Sequence, residues 1–213
     1  DRIAAGEMQI SEVVDGFVVA GEADDYVAEE DVDSFDDSED DDDGNGGSKA
    51  MTRRLEEMRV AALERFAAMR VSFEALRVAY EKDGYGSNAH RKAQQALSDQ
   101  LMTVRFTVKT IDALCGMLRS QVEDVRRYER EIRKIAVDRC GMPQQHFIDR
   151  FPPNVLNLGW VDAEVAAGKP FSAALGRHAP AIRELQSKLI DVQSKAVIPL
   201  EDLKAINKKM NEG

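Results

Sequence analysis

From Met51 onward, apolar residues recur along the chain at steps of three and four. Leu55, Met58, Ala62, Phe66, Met69, Phe73, Leu76 and Tyr80 form one such seam over about seven turns, which predicts a long helix starting near Met51. Asp83–Ser87 (DGYGS) carries two glycines and predicts the turn that ends it. A second helix is expected from about Asn88 to Phe106, with Ala93, Leu97, Leu101 and Val104 inward. The β-branched cluster around Phe106–Ile111 points to a break or kink. A third helix should then run to Cys140 on a seam of Ile111, Leu114, Cys115, Leu118, Val122, Val125, Ile132, Ile135 and Ala136. Gly141 followed by Pro143 reads as a stop and a restart, because glycine accepts the left-handed cap and proline suits a first helical turn.

Beyond Pro143 the pieces shorten. Gln144–Arg150 and Leu158–Ala167 read as short helices, ended by Phe151-Pro152-Pro153 and by Gly168 with Pro170. Ser172 is a candidate cap for another. Pro180–Lys195 reads as a longer helix with Ile182, Leu185, Leu189 and Val192 inward, and Leu200–Met210 as a last one with Leu203 and Ile206 on one face. Before Met51 the pattern is weaker. Ile3, Ile10, Val13, Val14 and Phe17 predict a short helix within 1–20, stopped near Gly16. No strand-like alternation of useful length is evident. The expected class is all-α, an antiparallel bundle of long and short helices with a disordered acidic segment.

Charge changes this picture at one place. The net charge of −10 hides a split: residues 1–48 hold 18 acids against Arg2, while residues 49–213 hold 28 bases against 21 acids. Residues 21–48 carry 14 acids and no base, so burial cannot offset the entropy of ordering them. The chain therefore divides into a short opening helix (1–20), a disordered acidic linker (21–50) with a flexible joint at Gly44, Gly46 and Gly47, and a helical domain (51–213). An acidic arm on a basic body points to partners chosen by charge. Candidate interaction residues are Asp40, Asp41, Asp42 and Asp43 in the arm and Arg126, Arg127 and Arg130 on the third helix. Glu123, Asp124, Glu129 and Glu131 are interleaved with those arginines, which also fits a solvated face with local pairs.

Reactive chemistry is sparse. His90, His146 and His178 lack a second histidine or a carboxylate at ligand spacing and read as satisfied or surface residues. Phosphate-loop, dinucleotide and nucleophile-elbow motifs are absent. The acidic run lacks the ordered spacing of a calcium loop, since no glutamate follows Gly44 by six places. Cys115 and Cys140 read as buried reduced thiols. Neither an enzyme nor a cofactor or metal protein is expected. No apolar run is long enough for a membrane span and no signal peptide is visible. The start at Asp1 rather than methionine points to a stretch cut from a longer protein.

From Arg126 the order of residues carries more than chemistry. RRYEREIRKIAVDRCGMPQQHFIDRF, then Trp160, then GKPFS, then LEDLKAINKKMNEG resembles the primary (housekeeping, sigma-seventy class) sigma factors of bacterial RNA polymerase. The match is to the non-conserved region between their regions 1.2 and 2. DRIAAGEMQISEVVDGFV is similar to the helix that opens that insert. Cys140, Met142, Pro143, Phe147, Phe151, Trp160 and Pro170 are landmarks of the resemblance and are expected to be structural. The resemblance implies a non-catalytic accessory domain, cytoplasmic and bacterial, acting in transcription initiation. It further implies contact with core RNA polymerase, its β′ subunit above all, and with the rest of the sigma factor. Promoter recognition belongs to segments that this stretch lacks, INKKMNEG being similar to the approach to region 2.1. The alternative from residues alone is a generic helical interaction module whose acidic arm mimics nucleic acid.

Overall fold

A computed structural model of the chain describes residues 2–18 and 46–212. The acidic stretch, with Asp40–Asp43, lies outside the described residues. The described part is all-α except for one two-stranded sheet. It divides into two compact units, Asp1–Ala113 and Leu114–Gly213.

In the first unit, α1 (Gly46–Asp83) and α2 (Asn88–Leu101) form a helical hairpin. Gly84 and Gly86 take positive φ in the connecting turn, which favours glycine there. Ser87 then caps α2, its Oγ accepting from the His90 N–H at 3.1 Å. The apolar seam of α1 faces this unit's core at Ala62, Met69 and Leu76, while Phe73 is partly exposed. The helix starts five residues before the expected point and takes in 46–50 of the expected linker.

Among the described residues 2–18, the opening helix expected in 1–20 does not form. Gly6 turns the chain at φ +76°, a 3-10 turn covers Ile10–Glu12, and Val14–Phe17 is a strand, β1. β1 pairs antiparallel with β2 (Val104–Phe106), so α2 ends at Leu101 instead of the expected Phe106 and the helix is interrupted ahead of the cluster where the break was expected. Val14 faces Phe106 and Gly16 faces Arg105, so Asp15 is the extra residue of a bulge. Flanking bonds extend the pairing: Thr107 N–H donates to Val13 O at 3.0 Å and Val18 N–H to Thr103 O at 2.9 Å. Val13, Val14 and Val104 are poor helix formers that fit a pleated surface, so tertiary pairing outweighs a weak helical pattern. Ile10, Val14 and Val104 then pack on Ala62 and Met69.

The second unit contains most of α3 (Val108–Arg133), a π-helical segment Lys134–Arg139, and α4 (Gln144–Arg150). After a 3-10 turn at Pro152–Asn154 come α5 (Trp160–Ala166), α6 (Ser172–Ala196) and α7 (Leu200–Glu212). Val125, Ile132, Leu175, Ile182 and Leu189 are fully buried at its centre. Phe147 and Phe151 stack with centroids 4.8 Å apart, and Trp160 meets both edge-on. Gln186 on α6 donates to the carbonyls of Asn154, Val155 and Asn157, which ties the irregular 150s segment to α6.

Three expectations are corrected in this unit. α6 starts at Ser172 and passes through Pro180. Leu175 and Ala179 before the proline and Ile182 and Leu185 after it are buried in one core, which outweighs a proline cost of about 3 kcal/mol. Ser172 does not open α6 as a cap; its Oγ accepts from Lys169 N–H and donates to Glu164 O at 2.7 Å, closing the α5–α6 turn. Ile206 is exposed, because α7 meets the core through Leu200, Leu203 and Asn207, about a quarter turn away.

Candidate interaction surface

Arg126, Arg130 and Arg133 stand at i, i+4 and i+7 on α3 and therefore share one face. They border a groove of about 350 Å³ in the second unit. Its floor is apolar, made by Phe147, Phe151, Pro152 and Val155, and Glu201 and Lys204 of α7 form part of its wall. The restart at Gly141 and Pro143 brings this floor beside the arginines: Gly141 takes φ +74° and α4 begins at the next possible turn.

The charges of the groove are unequally committed. Lys204 Nζ donates to Glu129 at 2.7 and 2.9 Å and to Glu201 at 2.9 Å. Burial alone would lower the Lys204 ammonium, yet hydrogen bonds to the two carboxylates outweigh it and raise its pKa above the ordinary lysine value. Arg126, Arg130 and Arg133 have no hydrogen-bond or ion-pair partner among the described residues. Arg127 points elsewhere: it pairs with Asp124 at 2.7 Å and lies over the Tyr128 ring at 5.2 Å. Of the three arginines expected to act in interaction, two line the groove and one is spent on a local pair. Arg133 and Lys204 complete the site and were not among the expected residues. The seven-residue step from Arg126 was the available signal for Arg133; nothing in the sequence links Lys204 to Glu129 across 75 positions.

A second polar cluster is also invisible in the sequence. His146 Nε2 meets the buried carboxylate of Glu164 at 2.7 Å, with Arg150 at 3.6 Å from the same group. The two residues are 18 positions apart, so the pairing is not one that ligand spacing along the sequence could reveal. It bridges α4 and α5 and leaves the buried charge compensated. His90 is buried against Tyr80 and Tyr85, and neither ring nitrogen has a partner among the described residues. No set of three metal-ligating side chains occurs among the described residues, and no described helix is long and apolar enough to cross a membrane.

The landmark residues sit mostly in this unit's interior. Cys140, Met142, Phe147, Phe151 and Trp160 are buried, whereas Pro143 and Pro170 are exposed at turns. Burial pushes the Cys140 thiol above its ordinary value, against smaller pulls from Arg177 and Arg139. Cys115 is only half-buried, which corrects its assignment to the core.

A family model described as the sigma-70 non-essential region matches residues 1–193. The chain belongs to this family. RNA polymerase sigma factor RpoD of Neisseria gonorrhoeae is 36% identical to it over 156 residues, which cover 73% of this chain and 24% of that relative. The sigma-70 membership bears out the resemblance read from the landmarks after Arg126, and with it the reading of an accessory sigma-factor segment in transcription. Sigma factors are non-catalytic, so the chain is not an enzyme.

Proposed function

We propose that this chain is a non-catalytic accessory domain of a bacterial primary sigma factor that touches core RNA polymerase through the arginine face of α3. The family match over residues 1–193 carries the reading. The groove adds a concrete surface, because Arg126 and Arg130 project from a packed helix and have no partner of their own among the described residues. The β′ subunit is the proposed partner, the cytoplasm the proposed compartment, and residues 51–213 the proposed helical domain. In the full factor the contact would act sterically and electrostatically during promoter recognition and escape. Contacts of this kind weaken as salt screens them.

Capture of core RNA polymerase on immobilised chain, at low and high salt, tests the reading. Salt-sensitive capture is expected, weakened by R126A/R130A. A gel shift with promoter duplexes should show no preference for a −10 sequence. A −10-specific shift by this chain alone would contradict the proposal.

A further inference from the structure

We propose that the groove bordered by α3, α4 and α7 binds an acidic peptide segment that presents an aliphatic or aromatic side chain. This gives the partner's chemistry for the contact face described above and rests on that reading. Two observations combine. The first is a row of three arginines without partners among the described residues, Arg126, Arg130 and Arg133. It spans about 10 Å along the helix axis, a reach that two or three carboxylates of one peptide can match. The second is the apolar floor directly beside the row, made by Phe147, Phe151, Pro152 and Val155. A purely electrostatic contact would leave that floor wet, whereas a leucine or phenylalanine on the peptide would cover it.

The wall chooses between an acidic peptide and a nucleic acid. Glu129 and Glu201 stand in the same groove, with only Lys204 between them. A phosphodiester backbone carries a charge at every nucleotide and would meet these carboxylates with repulsion. A peptide can place acids opposite the arginines and uncharged residues opposite the glutamates. Phe147 and Phe151 are buried and stacked on each other, so they offer an edge to a side chain rather than an open face to a base. Arginine forks are suited to paired recognition of carboxylates.

Fluorescence polarisation with labelled synthetic peptides on the whole chain tests this. The probes are a short Asp/Glu peptide with one central leucine, the same peptide with alanine there, and a single-stranded oligonucleotide of similar charge. The leucine peptide should bind best. Its affinity should fall about tenfold in R126A/R130A/R133A, as expected for three partly exposed charge pairs. These arginines are solvent-facing, so the variant should keep the parent's circular dichroism and melting curve. Tighter binding of the oligonucleotide, equal binding of the alanine peptide, or peptide binding indifferent to the triple substitution would each overturn the inference. Polymerase capture that depends on Arg126 and Arg130 would still stand in any of those cases, so the two proposals fail separately.

Discussion

At the residue scale the second unit turns on a few side chains whose surroundings decide their behaviour. Trp160 is 3% exposed and in contact with both stacked phenylalanines. Its replacement by alanine should cost about 3–5 kcal/mol, read as a shift in the denaturant midpoint. Trp160→Phe should cost clearly less, since it keeps an aromatic ring and removes an indole N–H that has no partner among the described residues. A midpoint unmoved by the alanine substitution would show that the indole is not part of the core. The two cysteines should separate in a thiol-labelling experiment. Cys115 is half-buried and should react in the native protein. Cys140 is buried with its thiol pKa raised, so the reactive thiolate is scarce at neutral pH and labelling should wait for unfolding. The lag of Cys140 should persist until the fold opens. Equal rates for the two sites at neutral pH would contradict this burial pattern.

At the element scale, caps and turns show what sequence pattern can and cannot reveal. Gly141 sits at φ +74° with nothing near an added Cβ. Gly141→Ala should therefore cost about 1–2 kcal/mol from backbone conformation alone, measurable as a lowered melting temperature. That stop was legible, because glycine followed by proline has one strong meaning at a helix end. The long seams of α1 and α2 were legible for the same kind of reason: many residues repeat one period. β1 and β2 were not. Each is three or four residues long, and they meet across about 90 positions, so neither carries enough repeats to announce itself. Pro180 misled in the opposite direction, since a strong local breaker is overridden by Ala179 and Ile182 packing on one core. Val197 could not be foreseen either. It is β-branched, buried, and at φ +56°, a strained choice held by the turn from α6 to α7 in which Gln193 accepts from Leu200 N–H. The groove was half legible. The arginines announced a charged face, but the floor is assembled from α4 and the 3-10 turn after it, which periodicity does not place beside α3.

At the scale of the whole molecule, the two units differ in how much they bury. Among the described residues the connected core of the second holds seventeen buried side chains and that of the first holds five. Buried apolar area is the main source of stability, so the first unit should unfold at lower denaturant. The single tryptophan lies in the second unit, which makes the test direct. Its fluorescence should report a later midpoint than far-ultraviolet circular dichroism, which samples both units. Coincident curves would show one cooperative transition instead. The charge split of the sequence belongs to this scale too. The basic excess lies in residues 49–213, and the groove is one place where it is left without internal partners.

The π-helical segment at Lys134–Arg139 has a consequence for how such a surface can change over generations. Its wide turn holds one residue more than an α-helix would, with Cys140 N–H reaching Ile135 O at 3.0 Å. It lies between the arginine row and the aromatic floor. Loss of a single codon there would let the turn rewind to ordinary α geometry, with one residue fewer in the turn and the chain beyond it left close to its present direction. Deletion of the exposed Asp138 should thus keep helical circular dichroism and leave Cys140 in the core, protected from alkylation in the folded state. A thiol that is alkylated in the folded deletion variant would show that the downstream chain has turned instead. The wide turn is thus a place where one residue can be gained or lost without re-aiming the floor against the arginines.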